Sequence, residues 1–311
     1  MPVATLLEIV QRAAQEMNLS RPLSAAGSQE QDVKTLVALA NRTGRELHSA
    51  GEWTFLQADY PVTVGAPVQT TGDTVSGSPN VSAIPSTAGI EALTFAALGE
   101  GIAPGTRVKQ VLDGSNVVLT QPAIATATGA NITFVRDTFA VPADFDRYIN
   151  RTQWDRTQQW ELIGPMSPQE AQWVQSGIVS TGPRRRWRQV GRGERVFRIW
   201  PPPSSADTPS QLVFSYISSD WVEAANGTFK NWMTLDDDVP GFDDDLMVMG
   251  VKWMYFRAKG FEYGAFEADW RNEINARLGF DGGAPTLNMA RRRWPIFLSP
   301  ANVQDGNWPG R

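Results

Sequence analysis

A break in composition constrains this chain more than any single motif. Up to about Trp53 it carries two amphipathic helical patterns. From about Gly65 to Phe134 it becomes rich in Gly, Ser, Thr, Ala and Val, with few charges and no helix-period run. At Val141-Pro142-Ala143-Asp144-Phe145 the Trp- and Arg-rich character returns. A chain that leaves one style and comes back to it reads as a host domain with a module spliced into a surface loop, where insertions are tolerated. Its 311 residues allow two cores, or one core and an insertion. A host of this kind points toward assembly rather than a closed active-site scaffold.

Local patterns give the expected elements. Val3, Leu6, Leu7, Val10, Ala13, Ala14 and Met17 recur at helical spacing and predict a helix over residues 3–18. Ser28-Gln29-Glu30-Gln31 fits a capping box that opens a second helix, about 29–51, with Val33, Leu36, Val37, Ala40 and Leu47 on one face. In the insertion, turn signals at Gly72-Asp73, Gly77-Ser78, Gly99 to Gly105, Asp113-Gly114 and Thr128-Gly129 separate short strands. Val108, Val111, Val117, Val118, Leu119, Ile132 and Phe134 supply the apolar positions of a small sandwich or open barrel.

Ser167-Pro168-Gln169-Glu170 opens a third capped helix. Arg184–Gln189 and Arg195–Trp200 alternate around Gly191-Arg192-Gly193 as a hairpin, with Gln211 to Ile217 as its expected partner strand. Phe242 to about Gly279 reads as one helix of roughly 50 Å, with Asp243, Asp244 and Asp245 at its N-terminus. The expected fold is therefore α+β: a helical bundle with a long C-terminal helix, a β-hairpin subdomain, an inserted small all-β module and an extended C-terminal arm. The segments are 1–64 and 138–279 for the body, 65–137 for the module and 280–311 for the arm.

Composition removes several kinds of chemistry. The absence of cysteine excludes disulfides, thiolate metal sites and a Cys nucleophile. His48 is the single histidine and no G-x-S-x-G motif accompanies it, so neither a triad nor a usual zinc site is expected. Gly191-Arg192-Gly193 lacks the Lys-Ser/Thr of a phosphate loop. Adjacent carboxylates at Asp236-Asp237-Asp238 and Asp243-Asp244-Asp245 diverge, and the calcium-loop pattern is missing. No catalytic residue, metal or cofactor is expected. A net charge of −5 gives no overall field for nucleic acid or anionic membrane. The first residues lack a basic segment followed by an apolar run, so no signal peptide is expected. The run Leu246 to Val251 is too short for a membrane span.

What remains is contact. Twelve Trp suggest extensive contact surfaces. Arg184, Arg185, Arg186, Arg188 and Arg192, with Arg195 and Arg198, form a basic hairpin, and Asp236, Asp237 and Asp238 form an acidic stretch. The two can meet between adjacent copies, a heterologous contact that makes a ring if its rotation closes. Contact with DNA phosphates and simple solvation are the other readings of the hairpin. In the arm, Arg291, Arg292, Arg293, Trp294, Phe297 and Trp308 read as anchors of an extended segment laid on a partner.

Taken in order, these parts resemble a tailed-bacteriophage head-to-tail adaptor, of the tail tubular protein A or head completion class of short-tailed phages. The likeness is carried by the N-terminal helix pair, Val141-Pro142-Ala143-Asp144-Phe145, and Arg198-Ile199-Trp200-Pro201-Pro202-Pro203 followed by the Leu212–Tyr216 strand. The helix after Val239-Pro240, with Trp253, Tyr255, Arg257 and Tyr263, completes it. The insertion, with Gly101-Ile102-Ala103-Pro104-Gly105-Thr106, is similar to Gly/Thr-rich β modules of phage structural proteins. The resemblance implies a structural virion protein at the head-tail junction, made in the host cytoplasm, and a homo-oligomeric ring, usually of twelve copies. Its implied partners are the portal protein, a tail nozzle or tail tube protein, and DNA that passes without sequence specificity; no membrane is implied. The rival expectations are another phage structural role, such as tail nozzle or decoration protein, and a carbohydrate-binding or glycoside-hydrolysing protein.

Overall fold

The computed structural model describes residues 4–176, 185–191, 196–204 and 209–282. Five α-helices lie among them: α1 (Leu6–Glu16), α2 (Gln31–Ala50), α3 (Pro168–Ser176), α4 (Asp244–Lys259) and α5 (Gly264–Asp281). With several antiparallel sheets they make an α+β protein. The described residues divide into two compact units. One comprises the chain up to Ala58, Asp144–Tyr148 and the chain from Tyr216 onward; the other comprises Asp59–Ala143 and Ile149–Ser215.

The first unit is helical. Thr5 opens α1: its hydroxyl accepts the Glu8 amide at 3.3 Å while the Thr5 amide donates to the Glu8 carboxylate at 2.9 Å. This is a reciprocal capping box, and Leu6, Ile9, Val10, Ala13 and Ala14 form the buried face behind it. The box expected at Ser28–Gln31 does not form. The Ser28 hydroxyl instead accepts the Glu30 amide at 3.2 Å, closing the turn before the helix, and α2 starts at Gln31 with no side-chain cap.

The single long helix expected over 242–279 is two helices. Gly260 takes the left-handed conformation, φ 77°, that ends α4, and Phe261 N–H closes back on the Phe256 carbonyl at 2.9 Å. Glycine adopts this conformation without a Cβ penalty, so the Lys259-Gly260-Phe261 step is a helix stop. α5 then folds back along α4. The Trp270 indole donates to the Leu246 carbonyl at 2.9 Å, its ring centroid lies 5.5 Å from that of Trp253, and Arg277 reaches Asp243 at 3.3 Å. α4 packs against α1, α2 and α5 and buries Leu246, Met247, Val248, Val251, Trp253 and Met254. At Gly250 it approaches α2 so closely that a Cβ would lie 2.2 Å from the Thr43 Cγ2.

The second unit is built from strands. Six antiparallel strands follow the order Phe95–Gly99, Ala127–Arg136, Val68–Thr74, Asn80–Ser82, Val117–Leu119 and Val108–Val111. The two end strands meet as well: Ala96 bridges Arg107, Leu93 N–H donates to the Val108 carbonyl at 2.8 Å, and Ala97 N–H to that of Thr106 at 3.0 Å. The sheet is thereby closed into a small barrel, which leaves no open edge at that seam. Its interior holds Val81, Ile84, Phe95, Val108, Val117, Leu119, Ile132 and Phe134. Gly72-Asp73, expected as a turn, lies inside a strand beside a bulge. A Cβ at Gly72 would sit 2.9 Å from the Val81 Cγ1, so close packing, not chain reversal, requires glycine there.

After Arg136 the chain leaves the barrel, and Thr138–Ala140 joins a three-stranded sheet with Val196–Trp200 and Arg186–Val190. The hairpin therefore pairs with Thr138–Ala140 and not with the strand expected over 211–217. That strand, Ser210–Ser218, hydrogen-bonds Trp154–Asp155 in this unit, and its Phe214 ring meets Phe197 of the hairpin face to face at 5.4 Å. Its alternation of apolar and polar residues fits stacking on the hairpin as well as lying beside it.

Candidate functional site

The Arg-rich hairpin has two faces because side chains alternate along a strand. Trp187, Phe197 and Ile199 point into the core, and the Trp187 and Phe197 rings stack at 5.4 Å. The other face carries Arg186, Arg188 and Arg198. Arg188 stands directly opposite Arg198, and Arg198 opposite Thr138. Like charges directly opposite on paired strands repel.

The arginines proposed as contact residues differ in their surroundings. Arg184 and Arg192 lie outside the described residues, as does Arg195. Arg185 is paired with Asp155 at 3.2 Å, both side chains nearly buried, and Arg186 with Glu170 of α3 at 2.7 Å. The Ser167 hydroxyl accepts the Glu170 amide at 3.1 Å, as expected of a cap, and fixes the start of the helix that carries Glu170. Among the described residues the Arg188 side chain has no ion pair, and its buried Nε has no hydrogen-bond partner.

Two residues missing from the sequence reading complete this face. Arg107, held in the barrel seam by backbone bonds to Thr120, pairs with Asp137 and donates to the Thr138 hydroxyl at 2.9 Å. Asp137 is fully buried where the chain passes from barrel to hairpin sheet, and its carboxylate accepts the Thr138 hydroxyl at 2.9 Å. Arg198 Nε donates to the same Thr138 oxygen at 3.0 Å. Arg107 is thus ion-paired with Asp137, Arg198 feels the same carboxylate at longer range, and Arg188 stands close enough to both guanidiniums to repel them. Burial acts on both members of the Arg107–Asp137 pair, raising the carboxyl and lowering the guanidinium, while their mutual attraction opposes it. Arg198 is pushed down to about 10, first by burial and then by Arg107 and Arg188, against the pull of Asp137. Only Arg188 and Arg198 stood out in the sequence, because Arg107 is a lone charge far along the chain.

Two of the three carboxylates of the acidic stretch are engaged within the chain, although the buried Asp238 Oδ1 has no hydrogen-bond partner among the described residues. Asp236 accepts the Ala25 and Ala26 amides at 2.9 and 2.7 Å. Asp238 is fully buried and accepts from Lys230 at 2.7 Å, Leu235 N–H at 2.7 Å and Thr234 N–H at 2.5 Å. Burial works to raise both carboxyls, but these donors outweigh it, and both are held below the ordinary carboxylate value. Their backbone carbonyls accept Leu7 and Leu6 N–H, seating the start of α1. Asp237 alone is exposed. Asp243 caps α4 through the Asp245 amide at 3.0 Å, and Asp244 accepts the Ala4 amide at 2.9 Å.

His48 lines a cleft of about 810 Å³ with Arg42, Arg45, Glu46, Asp146 and Trp232. Its Nε2 lies 2.9 Å from the Ser218 carbonyl, and the nearby Ser49 hydroxyl donates to the Arg45 and Glu46 carbonyls of α2. Histidine and hydroxyl are thus each engaged with backbone. Among the described residues, no group of three His, Cys, Asp or Glu side chains is disposed to hold a metal ion, and no helix is long and apolar enough to cross a membrane. The arm residues Arg291, Arg292, Arg293, Trp294, Phe297 and Trp308 lie outside the described residues, while α5 continues through Asp281, past the expected start of the arm.

No curated protein matches the chain. A family model does, and it agrees with the sequence reading at the level of a structural phage adaptor, a virion component. That match, described as SU10 adaptor protein, runs over residues 4–303, and the chain belongs to this family.

Proposed function

We propose that the protein is a non-enzymatic head-to-tail adaptor of the tail tubular protein A or head completion class. Copies form a ring, twelve in the usual arrangement of such adaptors, between the portal and the tail nozzle or tube, and the ring continues the DNA channel. The observation that carries this reading is the family match over nearly the whole chain. The helices are assigned to the ring wall, and the segment beyond Gly282, with Arg291–Arg293, Trp294, Phe297 and Trp308, to portal attachment. Aromatic and Arg anchors of this kind dominate interface energetics. Between copies, the contact residues are Asp237 and the hairpin arginines; among the described ones Arg185 and Arg186 already hold internal carboxylates and the Arg188 Nε has no partner.

The test is incubation of the purified protein with portal-containing, DNA-filled heads, followed by sedimentation and particle imaging. The expected result is a ring on the portal vertex, lost on truncation after Gly282. Absence of any association with heads would overturn the proposal, and undiminished binding of the truncated chain would move the portal contact to the helical body.

A further inference from the structure

Within the barrel unit, three guanidiniums lie close enough to repel one another, and one of them is ion-paired, Arg107 with Asp137. Arg107 is spent on Asp137, the Thr138 hydroxyl and the Leu93 carbonyl. Among the described residues, the Arg198 side chain has the Thr138 hydroxyl alone, and the buried Arg188 Nε has no partner. The fold brings the excess charge together. Cross-strand pairing sets the stems of Arg188 and Arg198 side by side, and Arg107 is held by the barrel seam and by Asp137, so the three charges start from neighbouring positions. A guanidinium is effectively always charged and presents up to five donors in a plane. Half-buried guanidiniums in such proximity call for a second anion beside Asp137.

We propose that Arg188 and Arg198, backed by Arg107, form a binding site for one phosphate-class oxyanion. The ligand seats on the outer face of the hairpin, with the Arg188 and Arg198 guanidiniums donating to its oxygens and Arg107 adding charge from behind. The position of Arg198, lowered by burial and by its like-charged neighbours, fits a site built for a counter-charge that would relieve both effects. Arg188 and Arg198 are both partly exposed, which leaves the approach open to solvent. The phosphate can come from two sources, free phosphate or the phosphodiester backbone of DNA. The chemistry at the guanidiniums is the same for both.

The experiment uses the full chain and inorganic phosphate. Calorimetric titration at constant ionic strength set with chloride should show saturable binding. Melting in phosphate at about ten times the dissociation constant should exceed melting in matched chloride by roughly 3 °C. Arg188→Gln leaves the Arg107–Asp137 pair intact. It should melt in chloride at or above the wild-type temperature and lose at least nine-tenths of the phosphate shift. A labelled short duplex, followed by fluorescence anisotropy, separates the sources. Duplex binding that Arg188→Gln weakens assigns the site to DNA, and phosphate binding without duplex binding assigns it to the free ion. No heat and no melting shift with phosphate in the wild type would overturn the proposal, and so would an Arg188→Gln variant that keeps the full shift.

Discussion

The acidic loop of the helical unit and the basic face of the barrel unit look alike in sequence, each a run of one charge sign, yet they solve opposite problems. Asp236 and Asp238 are answered locally. A carboxylate accepts from any N–H, and the backbone supplies Ala25, Ala26, Thr234 and Leu235 within reach. A guanidinium offers only donors and can be met by backbone carbonyls, as Arg107 is by Leu93, but among the described residues no carbonyl reaches the buried Arg188 Nε. Arg185 and Arg186 find anions in Asp155 and Glu170, and Arg107 in Asp137, whereas among the described residues Arg188 and Arg198 have no ion pair. A clustered acid run can therefore close on itself as structure, whereas a clustered arginine face stays available to something outside the chain.

The largest effect should come from Asp137→Ala. It removes the acceptors of Arg107 and Thr138 at a buried point and takes the nearby counter-charge from Arg198, a loss of about 3–5 kcal/mol by analogy with other broken buried pairs. Urea denaturation measures it, and a loss below about 1 kcal/mol would mean the cluster is hydrated and the contrast overstated. Asp238→Asn should cost about 1.5–3 kcal/mol, since a charge-assisted contact to Lys230 is lost at a fully buried site.

That variant also carries a pH signature. Asp236 and Asp238 have folded-state values below the ordinary one. Their stabilisation is fully present above the unfolded value, about 3.9, and is lost as pH falls through the lower folded value. Stability measured from about pH 6 to about pH 2 should fall less steeply in Asp238→Asn than in the wild type. Equal slopes would show that Asp238 does not contribute to acid unfolding.

Arg12, in an exposed pairing with Asp245, should matter little: Arg12→Gln should cost about 0.2–1 kcal/mol, shrinking as salt is added. Smallest of all is Arg188→Gln, expected within about 0.5 kcal/mol of the wild type in chloride buffer. A clear loss there, measured in the same denaturation series, would give Arg188 a structural role and erase the distinction between the two regions.

Much of the fold was legible wherever one period governed a whole segment. The Leu6, Val10, Ala13 and Ala14 stripe gave α1, and the alternation of Trp187 and of Phe197 and Ile199 gave the hairpin and its buried face. Punctuation was less legible. Thr5-Leu6-Leu7-Glu8 and Ser28-Gln29-Glu30-Gln31 carry the same kind of capping pattern, and only the first is in phase with its helix start. Gly260 carried a helix stop that apolar periodicity on both sides concealed. Gly72 looked like a turn and is a packing residue. In the candidate site, Arg188 and Arg198 were visible as part of a charge run, and Arg107 and Asp137 were not, because each lies in a short strand-like stretch with at most one charged neighbour and no run of one sign.

The sequence by itself determined the helical stripes, the alternating strands, the absence of thiol chemistry and the change of style between residues 65 and 134, since each depends on local spacing or on composition. Tertiary structure decided the closing of six strands into a barrel, the folding of α5 back along α4, and which charges are satisfied. The physical reason is that compensation of a charge depends on what lies within a few ångströms of it. Arg107 meets Asp137 and Arg198 only because the barrel seam and the hairpin sheet bring together residues that no local pattern connects.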